Sequence, residues 1–87
     1  MFEEKFLRYK EDRMYLHVQT TDGGYDYTLY KESHVDDVPA RLHDGGVVLL
    51  DGDIDAAIKE IETAFDLTPF SKREMSQDDF EAVVEVE

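Results

Sequence analysis

The sequence predicts an α+β fold: a three-stranded, mainly antiparallel sheet (a β-hairpin plus one strand) packed by one or two helices on one face. Three observations carry this prediction. Alternating residues flank a glycine turn at residues 14–31, a short apolar run follows at 47–50, and a helical apolar stripe covers 54–65. The 87 residues are enough for a single small acidic domain, residues 1–87, and leave no room for two.

The first two elements differ in how clearly the sequence marks them. Apolar residues with mixed helical spacing predict a helix over Glu3–Lys10. The hairpin signal is much clearer, because residues 14–20 and 25–30 alternate in polarity around Thr21-Asp22-Gly23-Gly24. Glycine turns of this kind favour hairpins because they supply the positive φ that the turn needs. The alternation predicts that one row of side chains faces the core and that a second row lies on the opposite face. The core-facing row is Met14, Leu16 and Val18, and the second row includes Tyr15 and His17.

The third strand is predicted after a loop. Residues 32–43 contain two adjacent aspartates and a proline, which are typical of a loop. Asp44-Gly45-Gly46 then opens the apolar run Val47–Leu50, which we expect to be a buried strand, and Asp51-Gly52 ends it.

Two helices are predicted in the second half of the chain. The first has apolar residues at helical spacing, with Asp53 as its N-cap and Asp55 in its positive first turn; the stripe is Ile54, Ile58, Ile61 and Phe65. The second begins at Ser76, whose following residues resemble a capping box, and its expected buried positions are Phe80, Val83 and Val84. The tail 84–87 alternates in polarity, so an added strand is the alternative for this end.

The charge balance limits the classes of partner. The chain has 22 acidic and nine basic residues, a formal charge of -13, and thirteen of the acids fall in residues 44–87 with only three bases. Such a surface is repelled by DNA and by anionic lipid, which argues against direct nucleic-acid or membrane binding. No apolar run is long enough to span a membrane, no signal peptide is recognisable, and the lack of cysteine fits a cytoplasmic protein.

A calcium-binding loop is one alternative that the sequence leaves open. Acidic residues occur at positions 1, 3, 5 and 12 of a twelve-residue segment, as in an EF-hand, and they are Asp51, Asp53, Asp55 and Glu62. Position 6 is Ala56 where an EF-hand needs glycine, and the segment before the loop is a predicted strand instead of a helix. An acid-capped helix start is therefore the preferred interpretation.

No pattern in the chain predicts catalysis, a cofactor or another metal centre. The three histidines, His17, His34 and His43, match no metal-ligand spacing, and Ser33-His34 lacks a nucleophile elbow or an oxyanion loop. Adjacent carboxylates are expected by chance among so many acids. We therefore expect a protein that is not an enzyme and that needs no cofactor.

The acidic surface is the remaining candidate for function. On a helix from Ser76, carboxylates at i, i+3 and i+7 lie roughly 5–6 Å from their neighbours, and the expected partner-binding residues are Asp78, Asp79, Glu81 and Glu85, followed by Glu62 and Asp66. Such rows can replace the charges of a nucleic-acid backbone and occupy the basic groove of a nucleic-acid-binding protein. A solvated acidic face is the alternative. A second alternative is a scaffolding domain that binds through a tyrosine-rich sheet face formed by Tyr15, Tyr25, Tyr27 and Tyr30.

Two stretches carry a family resemblance, Thr21–Tyr30 (TDGGYDYTLY) and Asp44–Val47 (DGGV). Their order, followed by an amphipathic helix, resembles small domains of unknown function from bacterial conjugative elements, which occur within or beside large polyvalent proteins. This resemblance covers residues 14–65 and transfers no catalytic residue. It implies a mobile-element context, in which small acidic proteins often act as inhibitors of host defence, including anti-CRISPR proteins and DNA mimics. An exposed edge strand also makes a homodimer possible.

Overall fold

A computed structural model describes residues 2–35, 37–49 and 51–85, and in this part of the chain five strands form one antiparallel sheet. The strands are β1 (Glu4–Tyr9), β2 (Met14–Thr21), β3 (Gly24–Lys31), β4 (Arg41–Leu49) and β5 (Lys72–Met75), in the spatial order β4-β3-β2-β1-β5. The helices are α1 (Ile54–Ala64) and α2 (Gln77–Val83), and a short 3₁₀ turn covers Pro69–Ser71. The α+β class is confirmed, but the expected three-stranded sheet is wrong because β1 pairs with β2 and β5 pairs with β1, which adds two strands.

The N-terminal segment is a strand, so the predicted helix over Glu3–Lys10 is wrong. β1 pairs with β2 along its whole length, from Glu4 opposite Gln19 to Tyr9 opposite Met14. Its other edge pairs with β5, which the sequence did not reveal. Leu7 and Tyr9 are buried on one face and Phe6 lies on the other, so alternation at period two matches the burial.

The predicted hairpin is confirmed. β2 and β3 pair in register down to Thr21 opposite Gly24, which leaves Asp22 and Gly23 as the turn, and Gly23 has a φ of 77°. Leu16 and Val18 are fully buried and Met14 is buried with them, as the alternation predicted. Gly24 also has a packing role, because a Cβ built on it would lie 2.1 Å from the carbonyl oxygen of Val48 on β4.

The strand after the loop starts earlier than predicted and is exposed. β4 begins at Arg41, and Val47 and Leu49 are 51% and 75% exposed, so the expectation of a buried strand over Val47–Leu50 is wrong for these two residues. Leu50 lies outside the described residues. Among the described residues of this run only Val48 packs against the core, since β4 is an edge strand and α1 covers one of its faces.

α1 packs on one face of the sheet and forms the main core with it. Its apolar stripe is buried at Ile54, Ile58 and Ile61 and half-buried at Phe65, as predicted. Full burial of each such isoleucine side chain contributes about 1.5–3 kcal/mol to folding. The Asp53 carboxylate accepts a 2.9 Å hydrogen bond from the backbone N–H of Ala56, which confirms the predicted N-cap.

α2 packs on the opposite face, which corrects the expectation that all helices share one face. The predicted Ser76 cap is confirmed, since its hydroxyl accepts a 3.1 Å hydrogen bond from the backbone N–H of Asp79. Phe80 is buried and Val83 is half-buried, together with the α2-face residues Phe6, Tyr15, Tyr30, Ala40, Met75 and Val84. The helix therefore crosses the sheet from β5 toward the β4 edge.

The segment after α2 reaches that edge. Ala40 and Val84 form an isolated parallel β-bridge, in which the Ala40 N–H donates to Val83 and the Ala40 carbonyl accepts from Glu85. Residues 76–85 thus combine the predicted helix with one strand-like contact, and Val86 and Glu87 lie outside the described residues. None of the helices in the described ranges is long and apolar enough to cross a membrane.

Candidate interaction surface

Three of the predicted partner-binding carboxylates are exposed on α2, and the fourth, Glu85, is exposed two residues beyond its end, so the i+7 position expected on one helix is not formed. We call these four residues the acidic α2 surface: Asp78, Asp79, Glu81 and Glu85. It exists because Ser76 starts the helix and Phe80 anchors it to the sheet. The Phe80 ring lies 5.0 Å from the ring of Phe6 and 5.6 Å from that of Tyr30, measured between centroids. The buried anchor fixes the helix so that its other side points to solvent.

The acidic α2 surface forms no ion pair within the described part of the chain. α2 has no basic residue in its last turn, and none of the ion pairs recorded for residues 2–35, 37–49 and 51–85 includes one of its four carboxylates. Some acids elsewhere are neutralised locally, as where Lys5 lies 3.0 Å from Asp55 and 3.5 Å from Glu74. The hydrogen bond from Lys5 to Asp55 also raises the pKa of this lysine.

The positions of these four acids along the chain are not explained by helix stability alone. Asp78 and Asp79 lie in the first turn, where negative charge favours the helix. Glu85 lies beyond the last turn, where the helix dipole is negative and a carboxylate is unfavourable. Its backbone is fixed there by the 2.7 Å hydrogen bond from its N–H to the Ala40 carbonyl.

Glu62 and Asp66 lie on the other side of the sheet, so the structure does not bring the two predicted acidic groups together. Glu62 is only 7% exposed, and its Oε2 atom accepts hydrogen bonds from the Tyr9 hydroxyl at 2.6 Å and from the Lys72 Nζ at 2.8 Å. Asp66 is exposed just after α1, with a φ of 54°. Both border an open groove of about 590 Å³ that Lys59 and Lys72 also line, so positive charge is mixed with negative charge at this place.

Three of the four carboxylates of the EF-hand-like segment have separate partners. Asp53 caps α1, Asp55 pairs with Lys5, and Glu62 is held by Tyr9 and Lys72. Asp51 is exposed before the helix. Within the described ranges no group of three or more histidine, aspartate or glutamate side chains is arranged to hold a metal ion.

The histidines are also dispersed. His17 stacks on Phe6 with 4.5 Å between ring centroids, and its Nε2 lies 2.7 Å from a Glu4 carboxylate oxygen. His34 contacts Arg13, whereas His43 is exposed on β4.

The four tyrosines proposed as a common sheet face are divided between the two faces. Tyr15 and Tyr30 are opposite each other in the β2–β3 ladder and lie beneath α2. Tyr25 and Tyr27 belong to the α1 side, where the Tyr25 hydroxyl donates to the Gly52 carbonyl and Tyr27 packs against Phe65. Among the residues described, these tyrosines therefore form no shared exposed aromatic face.

The outer edge of β4 has exposed apolar side chains, whereas the sequence predicted a buried strand there. Leu42, Val47 and Leu49 are each more than half exposed there. The adjacent Gly45 and Gly46, which bring no side chain to cover the strand, were the available signal for this exposure.

Comparison with known proteins places the chain in a family without transferring an activity. Neither a curated protein nor a solved structure matches it. The family model described as large polyvalent protein-associated domain 16 matches residues 2–86, nearly the whole chain. By this match, which confirms the resemblance seen in the sequence, the chain belongs to the large polyvalent protein-associated domain 16 family.

Proposed function

We propose that this chain is a non-enzymatic interaction protein of a mobile genetic element that inhibits a nucleic-acid-binding host-defence protein by occupying its basic groove. The protein would act in the cytoplasm and would need no cofactor. The observation that carries the proposal is the acidic α2 surface, with four exposed carboxylates and no ion pair to another described residue.

Electrostatic complementarity is the physical basis. A groove that binds a phosphate backbone presents lysine and arginine side chains, and an array of fixed carboxylates attracts the same side chains. Glu81 follows Asp78 by three residues on α2, so their Cβ atoms are roughly 5–6 Å apart. The Phe80 anchor limits motion of this array, which lowers the entropy cost of holding it against a partner.

The family context supports the class of target. A domain associated with large polyvalent proteins fits a mobile element that meets host defences, and many defence proteins bind DNA or RNA. The overall charge of -13 adds long-range attraction to a basic protein and repulsion from nucleic acid itself.

The test is a salt-resolved capture from nuclease-treated bacterial lysate, followed by a competition assay. Tagged chain is compared with a neutralised α2 variant, Asp78→Asn, Asp79→Asn and Glu81→Gln, and with a control of equal charge, Glu11→Gln, Asp22→Asn and Glu60→Gln. All six positions are exposed and none is in a recorded ion pair.

The expected result is a basic nucleic-acid-binding protein that elutes at a few hundred millimolar salt, roughly the range in which exposed charge pairs are screened. The wild-type chain and the control variant should displace nucleic acid from it, whereas the α2 variant should not. Equal capture and displacement by both variants would overturn the assignment to α2.

A further inference from the structure

The outer edge of β4 directs backbone groups away from the sheet at defined residues. The β2–β3 hairpin closes at the Thr21–Gly24 pair, so the backbone groups of alternate β3 residues starting at Tyr25 point toward β4. Tyr25 is opposite Val48 and Tyr27 is opposite Gly46. The intervening β4 residues therefore direct their N–H and carbonyl groups away from the sheet, and these residues are Gly45, Val47 and Leu49. The Gly45 N–H donates a 2.7 Å hydrogen bond to the side chain of Asp44, so the backbone groups that remain open for a new strand are the Gly45 carbonyl and both groups of Val47 and Leu49.

The start of the strand supports this orientation and limits the free edge. The register shift after Leu29 places Arg41 opposite Lys31, so Ala40 points outward by the same alternation. Both backbone groups of Ala40 are indeed used by the segment after α2, through Val83 and Glu85. The segment that stays available is the β4 edge, residues 45–49.

The β4 edge lacks the features that usually prevent edge-to-edge pairing. It contains no proline and no charged residue, and the side chains of Val47 and Leu49 are exposed. The opposite edge of the sheet, β5, is only four residues long and contains Lys72, Arg73 and Glu74. One edge is therefore protected by charge, and the other resembles an interface.

We infer that the β4 edge pairs with the β4 edge of a second copy of this chain, antiparallel about a two-fold axis at Val47. Gly45 of one copy is then opposite Leu49 of the other, and the outward backbone groups of residues 45, 47 and 49 bond in both directions. In this pairing the Gly45 N–H exchanges its Asp44 acceptor for the Leu49 carbonyl of the other copy. The two five-stranded sheets become continuous, and the exposed Val47 side chains meet at the axis.

Charge complementarity favours this occupant and this direction. Arg41 lies at one end of β4 and Asp51 follows the other end, and neither has an ion pair among the described residues. Antiparallel pairing brings the Arg41 end of one copy beside the Asp51 end of the other. Parallel pairing would bring like charges together instead.

The association should be weak and should strengthen with salt. A five-residue ladder buries less than the roughly 1,200–2,000 Å² of a standard interface, so we expect a reversible dimer at micromolar concentrations. Each copy carries a formal charge of -13, and salt screens the repulsion between copies. Binding to the proposed basic target should instead weaken as the salt concentration rises. The salt dependence therefore distinguishes the β4 edge from the acidic α2 surface.

The experiment is sedimentation equilibrium of the full chain at about 50 mM and about 500 mM NaCl. We expect reversible dimerisation of the 10.1 kDa chain that is tighter at the higher salt concentration. Val47→Lys should weaken dimerisation by about tenfold or more, because a lysine on an edge strand opposes pairing. The control Val35→Lys changes another exposed valine by the same charge and should have no such effect.

A charge exchange tests the register. Asp51→Arg lowers the net negative charge of each copy, which by itself would reduce repulsion between copies and strengthen the dimer. Loss of the contact between residue 51 and Arg41 of the other copy would instead weaken the dimer. We expect Asp51→Arg alone and Arg41→Glu alone to weaken dimerisation and the double variant to restore it. A monomer under all conditions, a dimer unaffected by Val47→Lys, or a double variant without restoration would overturn the inference.

Discussion

The Tyr9 hydroxyl donates a 2.6 Å hydrogen bond to the buried carboxylate of Glu62, a residue 53 positions later in the chain. Tyr9 is on β1 and Glu62 is on α1, so this contact joins the sheet to the helix inside the main core. Lys72 on β5 donates to the same Oε2 atom. Three elements are thus linked by one carboxylate oxygen.

We expect Tyr9→Phe to lower the free energy of unfolding by about 1.5–3 kcal/mol, because the buried Glu62 carboxylate loses a donor. Urea unfolding measures this change. Tyr27→Phe is the matched control, since this half-buried tyrosine packs against Phe65 but its hydroxyl has no recorded hydrogen bond. An equal loss in both variants would show that the Glu62 contact contributes nothing particular.

Alkaline stability should depend on the same tyrosine. Burial, and then the hydrogen bond to Glu62, raise the pKa of Tyr9 above its ordinary value. The unfolded chain therefore releases this proton first as the pH rises above about 10, and the folded state loses stability at up to about 1.4 kcal/mol per pH unit. Urea unfolding between about pH 8 and pH 11 should show a steeper decline for the wild type than for Tyr9→Phe.

The Tyr9→Phe variant should still lose some stability as the pH rises, because the pKa values of Lys5, Tyr25 and Tyr27 are also raised. Identical pH profiles for the two proteins would contradict the role of Tyr9.

Gly24→Ala should destabilise the fold by about 1–3 kcal/mol or more, because the new Cβ would meet the Val48 carbonyl oxygen and force β3 and β4 apart. Gly45→Ala is the control, since its nearest contact would be 3.3 Å, to the Tyr27 carbonyl oxygen. Thermal or urea unfolding measures the loss of stability in each of the two variants. A Gly24→Ala protein as stable as Gly45→Ala would contradict the close approach.

Phe80→Ala should release α2 without unfolding the rest. A helix of seven residues is not stable in isolation, so its order depends on the buried ring, and removing a buried phenylalanine costs about 3–5 kcal/mol. Hydrogen exchange should show loss of protection for residues 77–85 and retention for α1. Equal loss in α1 would indicate global unfolding, and Phe80→Leu then provides the milder test.

Asp53→Ala should lower stability by about 0.5–2 kcal/mol, because the Ala56 N–H loses its acceptor at the start of α1. Asp51→Ala, at an exposed position before the helix, should change stability little. Because three of the four acids of this segment, Asp53, Asp55 and Glu62, contact separate partners, we expect millimolar calcium to leave the unfolding midpoint of the wild type unchanged. A calcium-dependent increase that Asp51→Ala removes would instead support the EF-hand-like alternative.

Local signals predicted the elements whose conformation is decided locally. The β2–β3 turn needs Gly23 at positive φ, and α1 has both a cap at Asp53 and a regular apolar stripe. Ser76 similarly marked the start of α2. In each case the residues that determine the structure are within a few positions of one another.

Non-local pairing decided the elements that the sequence did not predict. The apolar spacing of β1 fits a weak helix, but pairing with β2 and β5 makes this segment a strand. β5 is the sequence Lys-Arg-Glu-Met, which has no apolar alternation and is a strand only because β1 offers a free edge. The burial of Glu62 depends on partners at Tyr9 and Lys72, and helix periodicity alone does not reveal them.

The sheet order also determines when each edge is completed during synthesis on the ribosome. β1 through β4 pair with their neighbours in the chain, so four strands can assemble while residues beyond 49 are still being made. The second edge of β1 is paired only by residues 72–75, and the Ala40 backbone groups are used only when residues 83–85 arrive. A nascent chain therefore exposes two open edges until residues 72–85 have emerged, and β5 then covers the open edge of β1 against unintended strand pairing.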